Sequence, residues 1–300
     1  MCLFFIPLFF TATPLLLSSI TVEGLILLLI ALQGVLALFV TQKKYSASVI
    51  TLFFLIIILY AGHTHENKPA WLQHIATLNV LNMEKTTDPW QRAHDILDQL
   101  EQIKRKDSTI ALIIAPESTF TWPINKCKQL IEMWSEYGLN PNRSFIIGTQ
   151  RIENNKYLNS AVLLKQSRIT QIYDKITPLI FTERPALYCN FNSLCTFFTT
   201  KKVTCQGTCG RTPFYADNST IPPLFPFICS ELFFAYQKPY TPPVTVLGLI
   251  NDSWFSMHAS LHLLVALARL NALRWNTDIL YISHYFQLFI SKRGIIYHLN

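Results

Sequence analysis

Three apolar stretches of this chain end in side chains that can do chemistry. Ile113-Ile-Ala-Pro-Glu117 ends in a carboxylate, Ile172-Tyr-Asp-Lys175 in an ammonium, and Phe227-Ile-Cys229 in a thiol. Strands that finish at one sheet edge bring such groups together. A carboxylate can take the thiol proton as general base. A nearby ammonium favours the thiolate and steadies the oxyanion of a tetrahedral intermediate. The sulfur attacks a carbonyl and forms a thioester, which a second nucleophile resolves. In the third stretch, Pro226-Phe-Ile-Cys-Ser-Glu231, the cysteine falls where an apolar run breaks into a turn. A lone Cys-x-Glu fits a buried structural cysteine better than a nucleophile, so the assignment to Cys229 depends on Glu117 and Lys175 upstream.

The elements that must position these groups follow from hydrophobic patterning. His74-Ile-Ala-Thr-Leu-Asn-Val80 predicts a first strand. Asp88 and Pro89 predict a helix start, as N-cap and first helical residue. Trp90, Ala93, Leu97, Leu100 and Ile103 keep helical spacing up to Lys104-Arg-Lys-Asp107. The unbroken apolar run 109–115 predicts a strand buried on both faces, stopping at Pro116-Glu117. A helix is expected over 127–137, a buried strand over 144–148, and paired strands over 157–164 and 169–173. After the irregular stretch 176–222, strands are expected at 224–229 and 244–250, a helix at about 257–274, and two short strands at the end. This alternation predicts an α/β domain with layered sheets.

Composition sets the wider frame. Half of the 300 residues are hydrophobic and 14% are charged, and the imbalance is local. Residues 1–62 carry only Glu23, Lys43 and Lys44 as charges. Residues 3–20, 24–42 and 47–62 are apolar enough to predict three transmembrane helices. Lys43 and Lys44 place the second loop in the cytoplasm and everything after residue 62 outside, in a bacterium the periplasm. The expected organisation is a membrane region over 1–62 and a catalytic domain over 70–300. The net charge of +7 comes without a dense basic block interleaved with aromatics, so nucleic acid is not implied. Cys189, Cys195, Cys205 and Cys209 cluster in the irregular stretch. Disulfides are their simplest reading in a periplasmic segment, with free thiols or a zinc site as alternatives. His258 and His262 stand four apart on the late helix, a spacing that ordinary packing explains.

Glu, Lys and Cys in this order resemble the nitrilase (carbon–nitrogen hydrolase) superfamily, and more narrowly its apolipoprotein N-acyltransferase branch. Ala115-Pro-Glu-Ser118 is similar to that branch's W-P-E-S, Tyr173-Asp-Lys175 to its Y-D-K, Ile228-Cys-Ser-Glu231 to its I-C-Y-E, and Asn251-Asp-Ser-Trp-Phe255 to its N-D-A-W-F. The resemblance covers about residues 70–300. It implies an α/β/β/α sandwich behind transmembrane helices, with Glu117 as base, Lys175 as oxyanion stabiliser and Cys229 as nucleophile. It makes Glu183 and Glu231 auxiliary carboxylates, adds the Ser230 N–H to the oxyanion hole, and places Trp254 in a substrate-binding motif. For Glu231, orienting Lys175 is the alternative. No metal or cofactor is implied. The implied activity moves a fatty acyl group from phospholipid to a lipoprotein's N-terminal diacylglyceryl cysteine at the inner membrane. An amidase using the same triad, or a conjugal-transfer protein of the TraB type working with conjugation machinery, are the alternatives. Three departures stand out: fewer membrane spans, Ser230 where the branch has tyrosine, and Leu179-Ile-Phe-Thr-Glu183 lacking the glycine of P-F-G-E.

Overall fold

The computed structural model describes residues 67–83, 88–139, 142–177, 212–216, 218–234, 244–253 and 258–299. The three expected membrane spans, Glu183, Trp254 and the cysteine cluster at 189–209 lie outside these residues. Among the described residues, no helix is long and apolar enough to cross a membrane.

Two five-stranded sheets stack face to face. The first has the order β1 (Ile75–Thr77), β2 (Leu112–Pro123), β3 (Ser144–Glu153), β4 (Lys156–Lys165) and β5 (Arg168–Asp174). The second runs β10 (Ile296–His298), β9 (Gln287–Ile290), β8 (Ile279–Ile282), β7 (Thr245–Leu249) and β6 (Leu224–Ile228). β1–β2–β3 and β6–β7–β8 pair in parallel, from one edge of each sheet inward, and antiparallel strands extend each sheet to its other edge.

The unbroken apolar runs are explained by burial of both sheet faces. In β2, Leu112 and Ile114 point between the sheets, where they meet Leu224, Ile228, Leu247, Leu249, Leu280 and Ile282. Their neighbours Ile113 and Ala115 point the other way, onto α1 (Pro89–Lys106) through Ala93, Ile96, Leu97 and Leu100. Across the molecule, Phe225, Phe227, Val246 and Tyr281 pack on Ala268, Ala272 and Trp275 of α4 (His258–Trp275). The layers are therefore α/β/β/α, as expected. Two short helices complete it, α2 (Lys128–Met133) and α3 (Ser230–Phe234).

α1 starts as its sequence predicts: Asp88 accepts from the Trp90 N–H through its side chain, and Pro89 follows. Several boundaries differ. β1 is only three residues long, with a 3₁₀ turn over 70–74 ahead of it and another over 81–83 after it. β3 runs on to Glu153, and three short strands rather than two close the chain. The most consequential correction concerns β2. It does not stop at Pro116-Glu117 but bulges there and resumes. Ala115 pairs with Ile147 and Phe120 with Thr149, so four residues of β2 face a single residue of β3. Ser118 sits in that bulge at φ 58°, a left-handed conformation uncommon for a non-glycine residue.

Candidate active site

Glu117 lies in the β2 bulge, and Gly148 on β3 makes room for it. A Cβ at Gly148 would lie 2.5 Å from the Glu117 Cα and closer still to the Pro116 carbonyl oxygen. The bulge takes carbonyls out of the sheet ladder, so each needs another partner. Thr119 Oγ donates to the Pro116 carbonyl at 2.8 Å, Arg92 Nε of α1 to the Thr119 carbonyl at 2.7 Å, and His284 Nε2 contacts the Glu117 carbonyl at 2.8 Å.

The carboxylate itself is buried and held from three directions. Asn159 Nδ2 on β4 donates to Oε1 at 2.7 Å, and Lys175 Nζ sits 3.4 Å from the same oxygen. The Asn251 backbone N–H, just beyond β7, donates to Oε2 at 2.9 Å. Lys175 is 2% exposed, so its charge is compensated by Glu117 rather than by solvent. Its backbone N–H donates to the Asn159 carbonyl, which ties the lysine to the strand that also holds the glutamate.

Asp174 anchors Lys175 from the other side. Its carboxylate is fully buried, takes two hydrogen bonds from the Arg151 guanidinium at 2.6 and 2.5 Å, and a third from Ser160 Oγ at 2.6 Å. Arg151 also reaches Glu153 at 2.7 Å. The Asp174 carboxylate beside it raises the guanidinium pKa above its ordinary value.

Cys229 follows β6 directly, at φ 48°. This left-handed turn lifts the thiol out of the sheet, and the chain then enters α3. Strain of this kind in a non-glycine residue persists where the surroundings enforce it. Here Cys229 N donates to the Leu249 carbonyl at 2.8 Å, and Leu232 N donates back to the Cys229 carbonyl at 3.0 Å. Burial pushes the thiol well above its usual pKa, and the Glu117 charge pushes it further; Lys175 and the Asn251 N–H pull it down only in part. Lysine therefore acts in the expected direction but is outweighed. Burial and the neighbouring Glu117 carboxylate thus both favour the protonated thiol over the thiolate.

Ser230 opens α3, so its backbone N–H lacks an intrahelical acceptor. Glu231 is placed as a brace. Its Oε1 accepts from the Ile176 N–H at 2.8 Å and the Thr177 N–H at 3.1 Å. Its Oε2 accepts from Tyr173 Oη at 2.7 Å and the Ile228 N–H at 3.0 Å. Glu231 thus binds the Lys175 segment of the first sheet to the Cys229 turn of the second, the orienting alternative for this residue.

The structure brings Glu117, Lys175, Cys229, Ser230 and Glu231 to one end of the stacked sheets. It adds Asn159, Asn251 and His284, which sequence reasoning missed. Asn251 stood in a recognised motif, but its contribution is a backbone N–H that its residue type does not advertise. His262, whose spacing ordinary packing explains, packs its ring 5.6 Å from that of Phe286.

No family model matches the sequence, and no curated protein matches it. Solved structures do match. The glutamine-dependent NAD+ synthetase of Acinetobacter baumannii, in complex with adenosine diphosphate, superposes with a TM-score of 0.52 at 16% identity, over 70% of this chain and 40% of that one. This chain therefore spans less than half the length of the synthetase. An amidase from Nesterenkonia sp. gives 0.51 at 11% identity, over 71% of this chain and 82% of that one. A cysteine-to-serine mutant of the Nesterenkonia AN1 amidase from the nitrilase superfamily gives 0.51 at 10% identity, over 71% and 83%. At these identities the likeness is one of fold, and the structural neighbours are members of the nitrilase, or carbon–nitrogen hydrolase, superfamily.

Proposed function

We propose that this protein is a cysteine-dependent acyl-transfer enzyme of the nitrilase type. The observation that carries the reading is the buried Glu117 carboxylate, 3.4 Å from Lys175 Nζ and beside a Cys229 thiol held neutral by burial and by that same carboxylate. In the first half-reaction the Cys229 proton passes to Glu117 as the sulfur attacks the substrate carbonyl carbon. Lys175 Nζ and the Ser230 N–H receive the oxyanion. The bond to the leaving amine or alcohol breaks, Glu117 returns the proton to the leaving group, and a thioester remains on Cys229. In the second half-reaction Glu117 takes a proton from water or an amine. That nucleophile attacks the thioester, and the cysteine leaves as a thiol with the proton restored. A neutral resting thiol suits this cycle, because the charge appears only with the base in place.

For the substrate, the reading is a membrane-bound N-acyltransferase. It takes a fatty acyl group from phospholipid and passes it to an amine such as a lipoprotein's N-terminal diacylglyceryl cysteine, on the periplasmic side of a bacterial inner membrane. The apolar stretches within 1–62 support it, since both substrates live in the bilayer. The second reading is an amidase that hydrolyses a small amide, favoured by the likeness to the Nesterenkonia amidase. Intact mass separates the two. After incubation with phospholipid, the acyltransferase carries a fatty-acyl adduct that hydroxylamine removes and that Cys229→Ala lacks. An adduct formed only from small amides selects the amidase. No adduct from either, on a reduced thiol, overturns the acyl-enzyme reading.

A further inference from the structure

Glu117 belongs to the first sheet, yet much of what fixes it comes from the second. The turn after β7 supplies the Asn251 N–H to its carboxylate at 2.9 Å. The turn after β8 supplies His284, whose Nε2 lies 2.8 Å from the Glu117 backbone carbonyl. A carbonyl only accepts, so Nε2 carries the proton and the imidazole donates. His284 is 2% exposed, and its own backbone is held in turn. Asp252, fully buried, accepts from the His284 N–H at 3.0 Å and the Tyr285 N–H at 3.3 Å through Oδ1. The turn is closed behind the histidine by Ser283 N donating to the Phe286 carbonyl and Phe286 N to Ser283 Oγ, both at 2.8 Å.

We infer that His284, set in place by Asp252, is a positioning residue for the base Glu117: its Nε2–H holds the one bulge carbonyl whose peptide carries the Glu117 side chain. The reason lies in the bulge. The Glu117 carbonyl has left the ladder with β3, and Ser118 beyond it is held at φ 58°. Without a donor the buried carbonyl turns to find one, and the carboxylate moves with the peptide. A displacement of about 1 Å in a reacting group costs up to about a hundredfold in rate. His284 touches neither sulfur nor substrate in this role. Its effect passes through Glu117, and so the inference rests on the acyl-enzyme reading given above.

The test uses the full chain and the activated ester 4-nitrophenyl butyrate, reading the rate of the first nitrophenolate burst and the Cys229 adduct by mass. Cys229→Ala abolishes the adduct and Glu117→Gln slows the burst; failure of either overturns the acyl-enzyme reading and not merely the role of His284. With both in hand, His284→Leu slows the burst about tenfold or more at unchanged ester KM. His284→Gln, which keeps a donor, restores most of the rate. In a Glu117→Gln background, His284→Leu costs less than about twofold, because the group it positions is already gone. An equal loss in both backgrounds marks a general structural role and overturns the inference, as does an unchanged rate in His284→Leu. Iodoacetamide labelling is a second readout that needs no ester. His284→Leu speeds it at Cys229 but not at Cys127, as displacement of the Glu117 charge frees the thiolate. Equal speeding at both cysteines means loosened structure and overturns the inference.

Discussion

At the scale of single residues, the surroundings of the Cys229 sulfur favour its protonated form. Burial and the Glu117 charge raise the Cys229 thiol, and Lys175 offsets them only partly. This gives Glu117→Gln two effects of opposite sign. Removing the negative charge lowers the thiol pKa, so alkylation of Cys229 by iodoacetamide at mildly alkaline pH becomes faster than in the wild type. Acylation, by contrast, needs the base to take the thiol proton and falls about 10²- to 10⁴-fold. Cys127 is the internal reference: burial alone raises its thiol, and its alkylation rate stays unchanged. Parallel changes in the two Cys229 rates would refute the division of labour between charge and base. The triad was legible in the chain because each member ends an apolar run. Asn159 and His284 were not, since one sits inside a strand and the other is 167 residues from Glu117.

At the scale of elements, the bulge in β2 decides where the base points, and Gly148 permits the bulge. Gly148→Ala forces a Cβ into the Glu117 backbone, so stability falls by about 1–3 kcal/mol, as in overpacked cores. Acylation falls with it, in urea titrations and burst kinetics of the same sample. A stable variant with full activity would mean that the bulge yields without moving the carboxylate. The turn after β5 depends on the Arg151–Asp174 pair. Asp174→Ala leaves the guanidinium buried without its main partner and costs about 3–5 kcal/mol, read from the urea midpoint. The sequence predicted β2 to stop at Pro116-Glu117. Proline there does interrupt the ladder, but the strand resumes because Phe120 re-enters the core beside Trp134.

At the scale of the whole molecule, the site exists only because two sheets stack with their strand ends together. Glu231 holds that junction through four donors, three from the first sheet's side and one from the second. Glu231→Ala leaves buried N–H groups and a phenol without an acceptor, so stability falls by at least about 2 kcal/mol. The same variant slows acylation with KM unchanged, because Lys175 and Cys229 lose their common brace. A loss of stability with full activity would make Glu231 a structural residue alone.

The chain by itself determined the layers. Apolar runs without alternation demand sheets buried on both faces, and helical spacing over 90–103 demands a helix with one apolar side, so an α/β domain with layered sheets follows from local pattern, while the α/β/β/α order was implied by the resemblance. It also singled out the candidate trio, because a carboxylate, an ammonium and a thiol each close an apolar run, although Glu117 proves to lie in a bulge within β2 rather than at a strand end. Only the tertiary structure decided how the Glu117 carboxylate is held, that burial and then the Glu117 charge raise the thiol, and which donors Glu231 accepts from. Those depend on hydrogen bonds between residues far apart in the chain, several of them made by backbone N–H and carbonyl groups. Every residue except proline carries such a pair, so residue type alone does not reveal where the fold puts it to use.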